Sequence, residues 1–466
     1  MNVLGAFLLP HPPLIIKEVG RGKEEEIEKT IKAYKEVGKK INELKPETIV
    51  IISPHSIMYS DYFHISPGAT AHGDFSKFGG SKGSFIKVSY DEDFVRALSQ
   101  GAMEEGLMAG TQGEKEKVLD HGTSVPLAMI QEHYRNFKTV RIGISGQSLV
   151  QHYRLGKIIA KTAEDLNRKI VFIASGDMSH KLLTEGPYGY ATEGPVFDEE
   201  VRQIVATGDF QKLFKIKSSL CEEAAECGYR SLVTLAGVLD GRSVDSRVLS
   251  YEGPFGVGYL VASFFPLGED SERHFDLIFE REELSRLEKE QKDEDPFVGL
   301  ARKSLEVKVK EHREISLNEI PRQLLTEELI KGQAGVFVTL KKHGELRGCI
   351  GTTFPIQKSI GEEILHNAIS AGLEDPRFES VSLEELPYLE YSVDVLGNAE
   401  PALTMEDLDP IEYGVIVESG YRKGLLLPNL DGIDTPEKQV DIALQKAGIK
   451  EGDSYTMKRF KVTRHK

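Results

Sequence analysis

Four histidines follow or precede apolar segments in positions that suit catalysis or metal binding. His11 ends the run GAFLLPH, His55 ends TIVIISPH, and His180 ends IVFIASGDMSH. The fourth, His121, lies in DHGTSVPL, a polar loop that leads into an apolar helix start. Neutral imidazoles bind metal ions and exchange protons near neutral pH, because the unperturbed pKa of histidine is about 6.5.

One carboxylate completes a recognisable ligand set. Glu252 lies in the turn SYEGPFG, between two β-rich segments. Two imidazoles and one carboxylate on one face of a metal are typical of non-haem Fe(II) oxygenases. We therefore predict that His11, His55 and Glu252 bind a metal and that His180 serves as an acid/base group. Glu252 by itself also fits a turn carboxylate that caps Gly253 or a neighbouring amide.

The elements that must position these residues alternate between strands and helices. Buried parallel strands deliver the residues that follow them to one edge of a sheet, where α/β proteins usually bind ligands. The alternation predicts a layered α/β domain over residues 1–270. Its predicted strands are 3–9, 48–52, 139–145, 169–174, 243–251 and 256–264, and its helices are 24–44, 93–106, 149–166 and several across 197–239.

A charged segment separates this domain from a second one. Eleven of the sixteen residues in 279–294 are charged, which predicts an exposed helix within a linker over 271–295. A smaller α+β domain is predicted for 296–466. Its predicted strands are 335–341, 345–351, 389–396 and 413–419, the first two forming a tight hairpin, and its helices are 296–309, 360–371 and 436–446.

The three cysteines give weaker signals. In the strand LRGCIGT, hairpin register predicts Cys349 opposite Val338, with Arg347 on the same face and able to lower the pKa of the thiol. The alternative is a simply packed cysteine. Cys221 and Cys227 are six positions apart in a region predicted to be helical, so they do not share a face and a joint metal role is not expected.

Composition limits the class of partner. The chain of 466 residues has 58 Lys and Arg against 74 Asp and Glu, a formal net charge of −16. This excess of negative charge disfavours non-specific binding to nucleic acid or to anionic lipid. No apolar run reaches the length of a membrane span, and the first residues lack the features of a signal peptide. We expect a cytoplasmic protein.

The motifs of the first domain together resemble the LigB-type class III extradiol dioxygenases, a superfamily that includes the Memo-like proteins. The resemblance covers residues 1 to about 268 and rests on LLPHPP, ISPHS, DHGTSVPL, SGDMSH and YEGPFG. It implies that His11, His55 and Glu252 are metal ligands and that His180 is the acid/base residue. It also implies that His121 is a pocket residue that contacts substrate or dioxygen.

The second domain resembles the AMMECR-type domain through LRGCIGT, DPRF and GLLLPN. Its fusion to a Memo-like or LigB-like unit resembles the AmmeMemoRadiSam system, which implies a radical-SAM protein as a partner. One departure from some ring-cleaving relatives is Asp177, which stands where they have a small residue. We expect its carboxylate to fix the tautomer of His180 or to raise its pKa.

These observations predict an Fe(II)-dependent, extradiol dioxygenase-like oxidoreductase that acts on a catechol-like aromatic substrate with O2. Zn is also compatible with such ligands. The alternative is a metal-binding redox accessory protein that works with a radical-SAM partner and does not cleave rings. A Zn-dependent hydrolase with His180 as its base is a weaker alternative. A homo-oligomer is compatible with either reading.

Overall fold

The computed structural model describes residues 2–80, 86–430, 432–450 and 452–466. The chain divides into two compact units, residues 1–280 and 281–466. The helix Phe275–Glu290 covers most of the predicted linker, and the division falls inside it. No helix in the described part of the chain combines the length and apolar character needed to cross a membrane.

The first unit alternates strands and helices along most of its length. Its strands are β1 Val3–Leu9, β2 Thr48–Ser53, β3 Phe63–His64, β4 Thr70–Gly73, β5 Ile86–Ser89, β6 Ala109–Gly110, β7 Lys138–Gly143, β8 Ile170–Ser175, β9 Arg242–Glu252 and β10 Tyr259–Glu269. Its helices are α1 Lys17–Gly20, α2 Glu28–Leu44, α3 Glu92–Glu104, α4 His121–Gln131, α5 Leu149–Asp165, α6 Glu193–Thr207, α7 Ser218–Ala224, α8 Tyr229–Val238 and α9 Phe275–Glu290, which continues into the second unit.

A six-stranded sheet in the order β7-β2-β8-β1-β10-β9 forms the centre of this unit. The four strands β7, β2, β8 and β1 are parallel, whereas β10 is antiparallel to both of its neighbours. Each residue of β2 and of β8 is buried. Continuous burial is expected of parallel strands covered by helices on both faces, and it explains their unbroken apolar sequences.

Alternate residues of the strands pack into two separate cores. On β1, Leu8 joins the core cluster that includes residues of α5 and α8, whereas Phe7 and Leu9 join the cluster that includes residues of α2 and α4. This is the period-two alternation of a sheet with a helical layer on each face. The predicted layered α/β class is confirmed.

The second unit is α+β, also as predicted. Its helices are α10 Pro296–Glu311, α11 Glu327–Lys331, α12 Ile360–Leu373 and α13 Pro436–Ala447. Its strands are β11 Val336–Lys342, β12 Glu345–Gly351, β13 Leu389–Leu396, β14 Glu400–Ala402, β15 Gly414–Ser419, β16 Arg422–Leu426, β17 Thr456–Phe460 and β18 Val462–His465. They form two four-stranded sheets, in the orders β12-β11-β13-β18 and β14-β17-β15-β16.

The register of the β11–β12 hairpin differs from the prediction. Cys349 pairs with Thr339, not with Val338, which pairs with Ile350. A register irregularity falls between Leu340 and Lys341, opposite the neighbourhood of Arg347. Such a bulge shifts the pairing by one residue, and because side chains alternate with period two, it changes which residues stand opposite each other.

Candidate metal centre

Three neighbouring parallel strands bring three of the predicted histidines to one edge of the first unit's sheet. His11 follows β1 by two residues, His55 follows β2 by two, and His180 follows β8 by five. Because β8 lies between β2 and β1, the ends of these strands are adjacent. His121 approaches from another direction as the first residue of α4, whose N-cap is Asp120.

Two of these histidines and one cysteine form a group that can hold a metal ion. The Nε2 atoms of His11 and His55 are 3.0 Å apart, and Sγ of Cys227 lies 3.7 Å from Nε2 of His11. The candidate ligand atoms of the three residues all lie within 4.8 Å of one another. Metal–nitrogen bonds of about 2.1 Å and metal–sulfur bonds of about 2.3 Å in a tetrahedral site would separate such atoms by about 3.4 and 3.6 Å. The donor set and its spacing therefore fit a bound ion.

The ring of His11 is oriented by a hydrogen bond on its other nitrogen. Nδ1 lies 3.0 Å from Oγ of Ser175, and that hydroxyl donates to the carbonyl of Gly122. Since the hydroxyl proton is used on Gly122, Ser175 accepts the Nδ1 proton. His11 then carries its proton on Nδ1, and the Nε2 lone pair faces the metal group. Partners of this kind commonly orient metal-binding imidazoles.

Burial and mutual proximity keep the imidazoles neutral. Burial, reinforced by His55 and His121, holds the pKa of His11 well below its usual value. Burial of the ring and the nearby His121 lower the pKa of His55 to about 4, although the residue as a whole is exposed to solvent. Both side chains are therefore neutral imidazoles at neutral pH, as metal-binding histidines must be.

Cys227 was not predicted as a ligand. The sequence analysis placed it within a helix, but it lies in the short connection between α7 and α8. This connection approaches the end of β8 closely, because a Cβ on Gly176 would lie only 2.1 Å from the Cα of Gly228. The N–H of Asp177 donates to the Cys227 thiol at 3.3 Å. The signal available in the sequence was the pair Cys227-Gly228, since glycine commonly interrupts a helix.

Glu252, predicted to be the third ligand, is not part of this group. Its Oε1 accepts hydrogen bonds from the backbone N–H and the hydroxyl of Thr30, at 2.6 and 2.7 Å. It ends β9, which is separated from β1 by β10. The end of β9 lies at the predicted edge of the sheet, but the Glu252 carboxylate is held by Thr30 of α2 and not by the histidines. The capping alternative describes Glu252 better.

His180 is held by the main chain at the end of α7 and in the connection that follows it. Its Nδ1 hydrogen-bonds to the carbonyl of Ala225, and its backbone N–H donates to the carbonyl of Ala224 at 3.0 Å. A carbonyl only accepts, so Nδ1 carries the proton and Nε2 is an acceptor. Burial lowers the pKa of His180.

The expected effect of Asp177 on His180 is wrong. Its Oδ1 accepts the backbone N–H of His11 at 2.8 Å, so this carboxyl group supports a metal-site histidine instead. Burial raises the pKa of Asp177 to about 7. The tautomer of His180 is set by a main-chain carbonyl, and its pKa falls where a rise was one of the expectations.

His121 packs against both histidines of the metal group. Its ring stacks on that of His55 with centroids 4.1 Å apart, and it meets the ring of His11 edge to face at 5.1 Å. Burial lowers its pKa. Asp120 fixes the start of α4 by accepting from the N–H of Thr123 at 2.9 Å and from the hydroxyl of Ser53 at 2.6 Å. His121 therefore forms part of the wall of the centre.

The predicted residues of the second unit are arranged differently. Arg347 makes a two-pronged ion pair with Glu385, at 3.0 and 2.9 Å. The Cys349 thiol lies 3.2 Å from the hydroxyl of Thr339, and its backbone N–H donates to Asp375. Burial raises the pKa of Cys349, the opposite of the predicted activation.

Comparison with known proteins identifies the family of each unit. The chain belongs to the family of the catalytic LigB subunit of aromatic ring-opening dioxygenases, which matches residues 5–262. Residues 298–466 match the AMMECR1 family. The resemblance stated from the motifs is thereby confirmed.

Individual relatives cover the whole chain or single units. Protein CA_C1420 of Clostridium acetobutylicum is 42% identical over 472 residues and covers 100% of both chains. A protein of Thermotoga maritima is 46% identical over 175 residues, which are 37% of this chain and 98% of that protein. The 3,4-dihydroxyphenylacetate 2,3-dioxygenase of Escherichia coli is 25% identical over 234 residues, which are 47% of this chain and 83% of that enzyme.

Proposed function

We propose that the first unit is a metal-dependent oxidoreductase that binds a catechol-type aromatic diol and opens its ring with dioxygen. Membership in the LigB family and the similarity to a dioxygenase of 3,4-dihydroxyphenylacetate support this class of reaction. The observation that carries the proposal is the convergence of His11, His55 and Cys227 beside two further histidines.

Fe(II) is the ion that we propose, with Zn as a competitor for the same ligands. His11 and His55 would bind through Nε2, and Cys227 through its thiolate. A bound ion supplies a template for the two oxygens of the diol and stabilises the negative charge that develops on them. Because burial raises the pKa of Cys227 well above its usual value, the thiol loses its proton only when the ion binds.

His180 would move the substrate proton. With Nδ1 held by the carbonyl of Ala225, its Nε2 is the atom that accepts a proton from a diol hydroxyl and returns it later. Its lowered pKa keeps it in the accepting form at neutral pH. His121 would support the ring of His55 from behind and exclude water from that side.

Oxygen uptake tests this proposal directly. Protein purified without oxygen and loaded with Fe(II) should consume O2 when it is given 3,4-dihydroxyphenylacetate or a related catechol, and it should form a coloured ring-opened product. His180→Ala should keep the metal and lose turnover. Uptake that is unchanged in His180→Ala would contradict the acid/base role, and no uptake with a wide panel of catechols would contradict ring opening.

A second candidate function is favoured by the thiol ligand. Ring-cleaving non-haem iron sites of the common type use a carboxylate, whereas this group has Cys227. A thiolate suits a redox accessory protein that works with a radical-SAM partner. This function predicts metal retention without catechol-dependent O2 uptake. It also predicts that a radical-SAM protein co-purifies with the intact chain and that Cys227→Asp weakens this co-purification.

A further inference from the structure

His121 and His180, the two predicted site histidines outside the metal group, each contact a solvent-exposed aromatic ring. The ring of Phe78 meets that of His121 at a centroid distance of 5.2 Å and an angle of 61°. The ring of Tyr188 meets that of His180 at 5.1 Å and 73°. Phe78 is 40% exposed and Tyr188 61% exposed. Two parts of the chain that are 110 residues apart thus repeat the same arrangement.

Neither ring serves the core of the protein. Phe78 and Tyr188 are absent from the hydrophobic core clusters found among the described residues. Phe78 ends the short 3-10 turn Ser76–Phe78, and Tyr188 lies in the connection between β8 and α6. Covering an exposed aromatic ring with a ligand is favourable, because it removes apolar surface from water.

The two rings are connected to the metal group through different histidines. His121, which contacts Phe78, stacks on the metal-group residue His55. His180, which contacts Tyr188, is hydrogen-bonded to the main chain just before Cys227. A ligand whose oxygens face the metal group therefore has an exposed aromatic ring available toward each of these sides.

We propose that Phe78 and Tyr188 are specificity residues that select a planar aromatic ligand by ring contacts. Aromatic rings prefer offset-stacked or edge-to-face contacts, so a flat substrate ring gains on both side chains what an aliphatic chelator does not. This inference rests on the proposed function, because it assumes that the ligand is held through its oxygens at His11, His55 and Cys227.

Two chelators of different shape test the proposal on zinc-loaded protein, in which turnover cannot consume the ligand. Catechol binds a metal through two oxygens and has an aromatic ring, whereas acetohydroxamate also binds through two oxygens and has none. We expect Phe78→Leu and Tyr188→Leu each to weaken catechol binding by about five- to tenfold, as measured by calorimetry. Acetohydroxamate should bind within twofold of the unaltered protein.

Tyr190→Leu is the matched control. Tyr190 is 53% exposed, and none of the ring contacts described for the chain joins it to a histidine. Its replacement should leave both dissociation constants unchanged. Tyr188→Phe should bind catechol within twofold of the unaltered protein, because the ring and not the hydroxyl makes the contact.

The outcomes separate the two levels of the argument. Equal weakening of catechol and acetohydroxamate in Tyr188→Leu, or no weakening of either, would overturn the role of the rings while the metal centre stands. Protein that retains no zinc after dialysis, as read by elemental analysis, would overturn the proposed function and this inference with it. A selective loss of catechol binding in both leucine variants, with Tyr190→Leu unaffected, is the supporting result.

Discussion

The metal group of the first unit and the Cys349 region of the second each contain a cysteine beside ionisable side chains, but they differ in how their polar atoms are used. In the first, the Nε2 atoms of His11 and His55 face each other and the thiol of Cys227. In the second, Nε and Nη2 of Arg347 donate to the two carboxylate oxygens of Glu385. The first region holds lone pairs ready for an ion, and the second satisfies its charges internally.

The difference teaches how to separate a site from a structural network. Burial lowers the pKa of His11 and His55, so each imidazole is neutral and has a lone pair for an ion. The same effect raises the pKa of Cys349, so its sulfur keeps its proton. A pKa shift by itself therefore does not identify function. The useful question is whether the neutral or charged form that burial favours is the form that the chemistry needs.

Removing a ligand should have the largest effect and tests the metal group against Glu252. Cys227→Ala and His11→Ala should each weaken zinc binding by more than about 100-fold, since even changes to the partners that orient ligands commonly cost 10–100-fold. Glu252→Gln should bind zinc within about threefold of the unaltered protein, because its carboxylate is bonded to Thr30. Competition with a chromophoric chelator measures all three constants.

The opposite pattern would restore the ligand set predicted from the sequence. If Glu252→Gln lost zinc and Cys227→Ala kept it, Glu252 and not Cys227 would be the third ligand of the bound ion. Thermal unfolding of each variant without metal provides the control for folding, since a variant that unfolds early would lose metal for an unrelated reason.

Ser175→Ala should have the next largest effect, because it removes the acceptor that fixes the proton of His11 on Nδ1. We expect zinc binding to weaken by about 10–100-fold, the range usual for such partners. Ser175→Thr keeps the hydroxyl and serves as the rescue variant. Full affinity in Ser175→Ala would show that the tautomer of His11 is set by something other than this hydroxyl.

The sequence predicted most of the fold because burial on both faces leaves unbroken apolar runs, as in β2 and β8. It also predicted that His11 and His55 lie close together, since the carboxyl ends of the parallel strands β1 and β2 share one edge of the sheet. It failed for Cys227, which depends on a close approach at Gly176 and Gly228 that no periodicity encodes.

Two other failures have the same cause. Glu252 was assigned to the site from its place at the end of a strand, but its carboxylate accepts hydrogen bonds from Thr30, which is 222 residues away in the sequence. The partner of Cys349 was assigned from regular hairpin register, and a bulge shifted the pairing by one residue. Long-range side-chain partners and bulges arise from packing across the whole domain, so a local pattern does not contain them.

Burial raises the pKa of both thiols, so the pH dependence of metal binding tests what distinguishes Cys227, which faces His11. His11 and His55 are already neutral above pH 7, whereas burial holds the pKa of Cys227 well above its usual value. Binding should therefore release one proton from the thiol, and affinity should rise about tenfold per pH unit between about pH 7.5 and 9. Competition titrations with Co(II), followed by its thiolate absorption, measure this slope.

Cys227→Asp is the control for the slope, since an aspartate facing a metal has already lost its proton in this range. Its affinity should change by less than about threefold over the same pH interval. A slope that stays steep in Cys227→Asp would place the released proton on another group.

The smallest expected effect concerns the second region, where Arg347 should have no influence on the reactivity of Cys349. Because Arg347 is held by Glu385, Arg347→Ala should change the rate of alkylation of Cys349 by less than about twofold at pH 8, as measured peptide by peptide by mass spectrometry. Arg377 is the matched comparison, since its charge does lower the pKa of the thiol, and Arg377→Ala should slow alkylation more. A tenfold slower reaction in Arg347→Ala would mean that this guanidinium activates the thiol after all, and the two regions would then be alike.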